Sequence, residues 1–290
     1  MTDIDKALDK ALDKVLDKAI DDVLADVLYE ALTNWKEHPE KSGIFSDLDG
    51  TLSKIAPTPA EAIVTPEMRK VLQDINKKYA VVGIVSGRDS TEARRMVALE
   101  NLVYIGNHGL EWLEDGKQFY VPEAFNFFGL AGNLASELSD IFNATGYFVE
   151  RKKLGVAVHY RQVEDKEQAK ARIEEVLKPM LAKYPLKQAE GRYVIELKPD
   201  LPVNKGDAVT VIALRAGIER AMYLGDDVTD IDAFQALRQL RDEGRLQTVS
   251  IAIASDESAP AVMQEADYVV QSVDAAEALL RWMSSIPRVR

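Results

Sequence analysis

The 290-residue sequence contains no cysteine, which excludes disulfide bonds, thiolate metal ligands and thiol nucleophiles. Chains without disulfides are typical of reducing compartments, and we therefore expect a cytoplasmic protein. No apolar run reaches the roughly 20 residues that a membrane-spanning helix requires, so we expect no membrane insertion. The N-terminus lacks a basic segment followed by an apolar one, and we expect no signal peptide.

Positive charge is also scarce. The 36 Lys and Arg are outnumbered by 48 Asp and Glu, which gives a formal net charge of −12. Such a chain offers no broad basic surface for nucleic acid or anionic lipid, and we expect neither as a partner. An anionic small molecule could bind only where a metal ion or individual Lys and Arg side chains neutralise it locally.

The first 32 residues stand apart, because they repeat in tetrads such as KALD, KALD, KVLD and KAID. These residues are good helix formers, and we predict an N-terminal helical extension over 1–40. Each tetrad advances its apolar pair by about 40° around a helix, so the apolar stripe winds and forms no heptad seam. We interpret 1–32 as a structural or self-association helix, with a poorly ordered appendage as the alternative.

After residue 40, buried-strand patterns alternate with helical ones. The predicted strands are GIFSDLDG, AVVGIVSGR, VYIGNHG, AMYLGDD and TVSIAIA, and the predicted helices cover 66–78, 89–99 and 207–216. This alternation predicts a doubly wound parallel sheet with helices on both faces. The fold class is therefore α/β, with a core formed by 41–112 and 199–290.

The segment 113–198 interrupts that alternation. It contains a hairpin turn at Gly116, helices over 126–142 and 165–183, and the strand-like runs YFVER, LGVAVHYR and RYVIELKP. Paired strands separated by helices indicate a mixed α+β unit. We therefore predict that 113–198 is a cap domain inserted into the core.

The strongest motif, Asp47-Leu48-Asp49-Gly50-Thr51, follows the first core strand. Asp47 and Asp49 are two residues apart, so on an extended backbone they point to the same side. Two carboxylates beyond a strand's carboxyl end need a cation or a shared proton. Asp47 could therefore be an ionised nucleophile and Asp49 a proton carrier. An Asp-capped turn or a Ca²⁺ loop is the alternative for this motif alone.

Two later sites favour an anion. Ser86-Gly87-Arg88 ends the second strand and offers a hydroxyl and free N–H groups, although an ordinary helix N-cap would look the same. Lys205 precedes a helix and supplies a point charge, although a lone Lys is usually solvated.

A third site favours a cation. Asp226, Asp227 and Asp230 follow a core strand, and three carboxylates there call for a hard divalent ion. Helix capping by Asp227 or Thr229 is compatible with this and does not explain Asp226.

In combination, D-x-D-G-T, a strand ending in Ser, a Lys before a helix and G-D-D-x-x-D resemble the haloacid dehalogenase (HAD) superfamily of phosphotransferases over 41–290. The resemblance implies that Asp47 attacks phosphorus, and that Asp49 protonates the leaving alkoxide and then deprotonates water. Ser86 and Lys205 would hold the phosphoryl oxygens.

The same resemblance implies a Mg²⁺ cofactor. Its ligands would be the Asp47 carboxylate, the Asp49 main-chain carbonyl and Asp226, with Asp230 orienting the water shell of the metal. These four residues are the metal set that we expect.

Further stretches are similar to the trehalose-6-phosphate phosphatase family, namely GNHG at 106–109 with Glu111, ERK at 150–152, HYR at 159–161, VIELKP at 194–199 and NKGD at 204–207. The resemblance implies sugar contacts from charged cap residues, since hydroxyls bond strongly to such groups. The implied substrate-binding set is Thr51, Arg88, His108, Glu111, Glu150, Lys152, His159, Arg161 and Glu196.

Plainer interpretations of the cap residues exist. Glu150 and Lys152 could be a surface cross-strand pair, and His159 and Arg161 could be the polar face of a strand. Trp112 is better interpreted as a core residue than as a platform for sugar.

The implied activity is hydrolysis of trehalose 6-phosphate, with a small-molecule sugar phosphate as the partner. The alternatives are phosphatases with the same kind of cap that act on sucrose phosphate or on mannosyl- or glucosyl-3-phosphoglycerate. A phosphohexomutase and a non-catalytic sugar-phosphate sensor are further alternatives, although a sensor has no need for Asp49 as an acid.

Overall fold

A computed structural model of the chain describes residues 26–56, 61–143, 146–191, 193–255 and 258–285. Within these ranges the chain forms two compact units. The first unit combines the described residues up to Lys117 with those from Asn204 onward, and the second is Gln118–Val203. Among the described residues, no helix combines the length and the apolar character needed to cross a bilayer.

The larger of the two sheets in the described residues has eight strands. The strands are β1 (Ser42–Asp47), β2 (Val81–Val85), β3 (Val103–Gly106), β4 (Glu111–Glu114), β5 (Lys117–Tyr120), β10 (Arg220–Gly225), β11 (Gln247–Ile253) and β12 (Tyr268–Val270). Their spatial order is β12-β11-β10-β1-β2-β3-β4-β5. All but β5 lie within the first unit, and β5 begins at Lys117, the last residue of that unit before the second unit starts. The six strands from β12 to β3 run parallel, and β4 runs antiparallel to β3. The predicted α/β fold with a parallel core sheet is confirmed.

The direction of strand addition reverses next to β1. The chain proceeds from β1 to β2 and β3 on one side, and later from β10 to β11 and β12 on the other side. In doubly wound sheets, ligands bind at such a switch point, beyond the carboxyl ends of the strands. The loops that follow β1 and β10 therefore occupy the expected binding edge.

Helices cover the sheet of the first unit. They are α1 (Thr33–Glu37), α2 (Pro66–Asn76), α3 (Ser90–Val97), α6 (Lys205–Arg215), α7 (Ile231–Asp242), α8 (Pro260–Glu265) and α9 (Val273–Ser284). Local signals set their starts: Thr65 caps α2 with Pro66 in the first turn, and Asn204 and Asp207 form a capping box at α6. Every residue of β1 and β2 is buried, as expected for parallel strands with both faces covered.

The hairpin between β4 and β5 has the turn that the sequence predicts. Asp115 and Gly116 both have positive φ, at 49° and 73°. Two consecutive positive φ values are the requirement of a tight hairpin turn, which Asp-Gly meets at low cost. The strands that flank this turn extend the large sheet at its β3 edge.

The second unit has a four-stranded antiparallel sheet of order β6-β7-β9-β8. The strands are β6 (Phe148–Arg151), β7 (Val156–His159), β8 (Leu186–Gly191) and β9 (Val194–Pro199), and the helices are α4 (Phe125–Ile141) and α5 (Lys166–Lys183). This composition matches the mixed α+β unit expected there. The unit boundaries fall at 117/118 and 203/204, five residues after the boundaries that the sequence suggested. A cap function for the unit stays a prediction.

The end of the N-terminal extension packs on the first unit. Residues 26–31 are helical, and Leu28, Leu32 and Trp35 are buried in the same apolar cluster as α2 and α9. Tyr29 contacts Trp282, and the Lys36 ammonium lies 4.1 Å from the centroid of the Trp282 ring. The predicted helix over 1–32 lies outside the described residues as far as residue 25, and self-association stays a prediction.

Candidate active site

The acidic residues of the two main motifs meet at the carboxyl edge of the large sheet. Asp47 is the last residue of β1, and Asp226 follows the last residue of the neighbouring parallel strand β10. A short turn after β10 returns Asp230 to the same place. Asp47, Asp226 and Asp230 are buried, and each offers a carboxylate oxygen within 4.8 Å of the others. Strand register therefore brings Asp47 to two acids that lie about 180 residues later in the sequence.

Lys205 lies inside this acidic cluster. Its Nζ donates to Asp47 Oδ1 at 2.6 Å and to Asp230 Oδ1 at 2.7 Å, and its side chain is only 3% exposed. Burial lowers the pKa of Lys205, but Asp47 and Asp230 outweigh burial and raise it above the ordinary value. Lys205 is therefore a fixed positive charge between two carboxylates.

Asp230 is fully occupied by hydrogen bonds within the protein. Oδ1 accepts from Lys205 and from the Tyr223 hydroxyl at 2.7 Å, and Oδ2 accepts from the backbone N–H groups of Asp226 and Asp227 at 3.0 Å. A carboxylate accepts about four hydrogen bonds, so these contacts use its capacity. Asp230 thus orders the loop after β10 and the Lys205 ammonium.

Asp226 is held from the opposite side. Its Oδ1 accepts from the Thr51 hydroxyl at 2.8 Å. A Cβ atom on Gly50, where φ is +89°, would lie 1.9 Å from Asp226 Oδ2, so only glycine allows this approach. Burial raises the pKa of Asp226 to about 7, with Asp230 adding to the rise and Thr51 opposing it.

The charges of the cluster do not balance. Burial also raises the pKa of Asp47 well above its usual range, while Lys205 opposes the rise. Three buried carboxylates face one ammonium, which leaves about two negative charges at full ionisation. A hard divalent cation with oxygen ligands fits this donor set. Asp47 and Asp226 are the side chains that could hold it, because Asp230 is already saturated.

Asp49 points toward a different partner. Its carboxylate forms a bidentate pair with Arg88, through Nε–Oδ2 at 2.7 Å and Nη2–Oδ1 at 2.9 Å. Arg88 also donates to Glu92 at 2.5 Å. A bidentate pair of this kind fixes the orientation of both side chains. Arg88, which the sequence assigns to the substrate, is bonded to the predicted proton carrier in this structure.

The loop after β3 packs on the loop after β2. His108 N donates to Ser86 O at 3.1 Å, and a Cβ atom on Gly87 would lie 2.7 Å from His108 Cε1. Asn107 and His108 have φ values of 50° and 55°. Consecutive left-handed residues other than glycine cost free energy and are typical of functional loops. The buried Ser86 Oγ accepts from the N–H of Arg88 at 3.1 Å.

Glu111 binds the loop after β3 through hydrogen bonds to its buried carboxylate. It is fully buried, and its Oε1 accepts from Ser90 N at 2.8 Å, Ser90 Oγ at 3.2 Å and Asn107 Nδ2 at 3.0 Å. A buried carboxylate with several donors is a strong local constraint. Glu111 therefore ties the loop of His108 to the start of α3.

In the second unit, four predicted residues form two pairs. His159 Nε2 lies 2.9 Å from Glu150 Oε2, and Lys152 Nζ lies 3.9 Å from Glu196 Oε1. The hydrogen bond to His159 lowers the pKa of Glu150. The Arg161 guanidinium lies 5.8 Å from the centroid of the Tyr193 ring.

The sequence model of the trehalose-phosphatase family matches residues 45–274, which is most of the chain and includes every motif described above. The chain belongs to the trehalose-phosphatase family. Similar curated proteins include trehalose-phosphate phosphatase B of Arabidopsis thaliana, which is 32% identical over 212 residues, 68% of this chain and 56% of that protein. A trehalose-phosphate phosphatase of Mycobacterium marinum is 34% identical over 207 residues, 68% of this chain and 52% of that protein. The chain thus spans little more than half the length of these relatives.

A solved structure supports the same family. The chain resembles a trehalose-6-phosphate phosphatase related protein with a TM-score of 0.65 and 25% identity, over 83% of this chain and 96% of that one. The predicted family and its HAD-type fold are confirmed.

Within this family framework, the structure brings together the core residues that the sequence singled out. Lys205, Asp47, Asp226 and Asp230 form one cluster, and Thr51 touches it through Asp226. Three participants were missed. Glu92 binds Arg88, Ser90 binds Glu111, and Tyr223 binds Asp230. Of these three, only Tyr223 could have been noticed in the sequence, because it is the one hydroxyl-bearing side chain in the apolar run AMYLG.

Proposed function

We propose that this protein hydrolyses trehalose 6-phosphate to trehalose and inorganic phosphate. The observation that carries the proposal is the buried cluster of Asp47, Asp226 and Asp230 around Lys205, in a chain of the trehalose-phosphatase family. A phosphate monoester hydrolase needs a nucleophile, a proton carrier and local positive charge. The cluster and Asp49 offer these groups at one sheet edge.

The first chemical step is attack by an Asp47 carboxylate oxygen on phosphorus. A new P–O bond forms to Asp47 as the ester bond to the sugar oxygen breaks. Asp49 donates a proton to the leaving alkoxide, which departs as the sugar hydroxyl. Lys205, bonded to Asp47 in the resting protein, neutralises charge on the phosphoryl oxygens, and Ser86 donates a hydrogen bond to them.

The second step returns the enzyme to its starting state. A water molecule attacks phosphorus, Asp49 accepts its proton, and the P–O bond to Asp47 breaks to release phosphate. In the resting structure, Arg88 holds both Asp49 carboxylate oxygens, at 2.7 and 2.9 Å. Asp49 must reach the leaving oxygen and then the water molecule, so the Arg88 pair must loosen when substrate is bound.

Mg²⁺ is the proposed cofactor. Asp47, Asp226 and the main-chain carbonyl of Asp49 would hold it, and it would supply positive charge to the transferring phosphoryl group. Asp230 would not bind the metal directly, since its oxygens already accept from Lys205, Tyr223 and two backbone N–H groups.

The second unit is proposed to recognise the sugar. Glu150, Lys152, His159 and Glu196 carry charged or polar groups suited to hydroxyls. Their pairing supports a common site on one sheet. One pair joins β6 to β7, and the other joins the loop between β6 and β7 to β9. Thr51, Glu111 and Arg88 fit a positioning role better than direct contact with substrate, since each is committed to a neighbouring side chain.

A phosphate-release assay tests the proposal. The protein is incubated with trehalose 6-phosphate, with and without Mg²⁺, beside Asp47→Asn as the control for contaminating phosphatase. We expect Mg²⁺-dependent release by the parent and none by the variant. No release by the parent, or equal release by Asp47→Asn, would reject the proposal.

The same assay on other substrates, together with product analysis and a binding measurement, separates the alternatives. Faster release from sucrose phosphate or a glycosyl-3-phosphoglycerate would assign a related phosphatase. Isomerisation of a hexose phosphate without net release would indicate a mutase. Tight binding of trehalose 6-phosphate with no turnover would indicate a sensor. Family membership and the intact Asp47–Asp49 pair favour hydrolysis of trehalose 6-phosphate over each of these.

A further inference from the structure

The four-stranded sheet of the second unit has one face covered by helices. A Cβ atom on Gly132 of α4 would lie 3.5 Å from the Arg151 guanidinium, and Lys170 of α5 donates to Glu190 at 2.7 Å. Arg151 and Glu190 lie on the same face of the sheet. Arg151 is two residues from Val149 on β6, so these two side chains share a face. Residues paired across antiparallel strands also share a face, and such pairs lead from Val149 to Val158, Ile195 and finally Glu190. The helices therefore cover that face.

The opposite face, which we call the open face, carries two rows of side chains. One row crosses the strands as Glu150, Ala157, Glu196 and Ala189. The row beside it begins with Phe148, which pairs with His159, and His159 pairs with Val194. The two carboxylates proposed to bind sugar thus flank a small residue, next to an aromatic pair.

Phe148 is unusually exposed for its type. Its relative exposure is 63%, and its ring lies 5.6 Å from the His159 ring at 40°. His159 in turn bonds to Glu150 at 2.9 Å. A single exposed aromatic residue needs no special explanation. An exposed ring aligned with acceptors on one sheet face is a more specific arrangement, since ligand sites combine apolar surface with a few placed polar groups.

We propose that Phe148 is a specificity-determining residue that stacks against a pyranose ring of the substrate. A pyranose has hydroxyls at its rim and C–H groups on its faces, so carboxylates bind the rim while an aromatic ring covers a face. Glu150 and Glu196 supply the first element and Phe148 supplies the second. This inference rests on the proposed function, and it names a substrate contact that the family motifs do not include.

The experiment measures kcat/KM for trehalose 6-phosphate and for p-nitrophenyl phosphate, which has no sugar. Phe148→Ala should lower the first by about tenfold and leave the second within about twofold. Phe148→Leu keeps apolar bulk without an aromatic face and should lose about fivefold, whereas Phe148→Trp should stay within about twofold of the parent. Because Phe148 is exposed, all three variants should keep the melting temperature of the parent.

Phe125→Ala is the matched control, since Phe125 is 60% exposed in the same unit and begins α4, the helix whose Gly132 approaches Arg151 on the covered face. This variant should have the same kcat/KM as the parent for both substrates. Equal kcat/KM in the parent and Phe148→Ala, or an equal loss from Phe125→Ala, would overturn this inference alone. No release from trehalose 6-phosphate by the parent would remove the proposed function and this inference with it.

Discussion

Charged side chains gather in two regions of this protein, and their surroundings differ. At the carboxyl edge of the large sheet, the side chains of Lys205 and Asp47 are 3% and 6% exposed. On the open face of the small sheet, those of His159 and Glu150 are 36% and 42% exposed. In the first region, buried charges are held in fixed positions and water screens them little. In the second region, the charged groups are partly solvated and can change their hydrogen-bond partners at low cost.

The difference matches the two separate tasks that we propose for these regions. Phosphoryl transfer needs preorganised charges in a dry site, because reorganisation during the reaction would raise the barrier. Recognition of a sugar needs groups that release water and each other at low cost, and half-exposed ion pairs contribute little to stability. Disrupting the first region should therefore affect chemistry and folding, whereas disrupting the second should affect substrate choice alone.

The largest expected effect is the loss of the proposed nucleophile. Asp47→Asn should reduce phosphate release from every substrate by at least about a thousandfold, since an amide cannot replace the carboxylate that we propose attacks phosphorus. The variant should stay folded, because Asn keeps an oxygen that can accept from Lys205 and the change removes one of three buried, mutually repelling carboxylates. Trapping of a labelled phosphoenzyme with acid quench checks this: the parent should yield label and Asp47→Asn none. Label retained on the variant would move the nucleophile elsewhere.

Metal removal should come next in size. Chelation should abolish turnover, and added Mg²⁺ should restore it. The melting temperature should rise with Mg²⁺, because a cation that binds only the folded state stabilises it. Asp226→Asn should weaken both responses, while Asp274→Asn, at an exposed pair with Lys54, should leave them intact. Full activity of the chelated protein would contradict the metal assignment.

Removing the buried lysine should destabilise the fold. Lys205→Met leaves Asp47 and Asp230 without their shared ammonium, and breaking a buried pair costs about 3–5 kcal/mol. Urea unfolding monitored by Trp fluorescence measures the change. Lys70→Met, which breaks an exposed pair with Asp74, is the matched control and should hardly shift the midpoint. Equal midpoints for the two variants would show that the buried cluster is not a stability element.

A smaller effect is expected from Tyr223→Phe. It removes one hydroxyl donor to the buried Asp230, and an unsatisfied acceptor of this kind costs about 1–3 kcal/mol. Turnover of trehalose 6-phosphate and of p-nitrophenyl phosphate should each fall about tenfold, because Asp230 also orients Lys205. Unchanged unfolding and unchanged kinetics would mean that Asp230 does not depend on this bond.

Some of this arrangement follows from the sequence and some does not. Five of the six parallel strands and the motifs at their ends were predictable, because apolar runs that stop at turn residues mark buried parallel strands. The edge strand β12, only three residues long, was not predicted. The strand β8, with the sequence LKQAEG, has little β-branched or aromatic character and was missed; pairing with β9 determines it. The pairing of Arg88 with Asp49, 39 residues apart, depends on how two loops meet, which local patterns do not encode.

Glu111 illustrates the same limit. Its sequence neighbours place it beside a family motif, and the resemblance assigns it to the substrate. The structure buries it under that motif with Ser90 and Asn107 as donors. A pattern can thus locate a functional region, while the direction in which a side chain points depends on packing from elsewhere in the chain.

The division of labour between the two regions is tested most directly by kcat/KM for trehalose 6-phosphate and p-nitrophenyl phosphate in Glu196→Gln and Asp226→Asn. Glu196→Gln should lose about tenfold or more on the sugar phosphate and remain within about twofold on the aryl phosphate. Asp226→Asn should lose at least about a hundredfold on both. Parallel losses on both substrates from Glu196→Gln, or no loss on either, would contradict the assignment of sugar recognition to the open face.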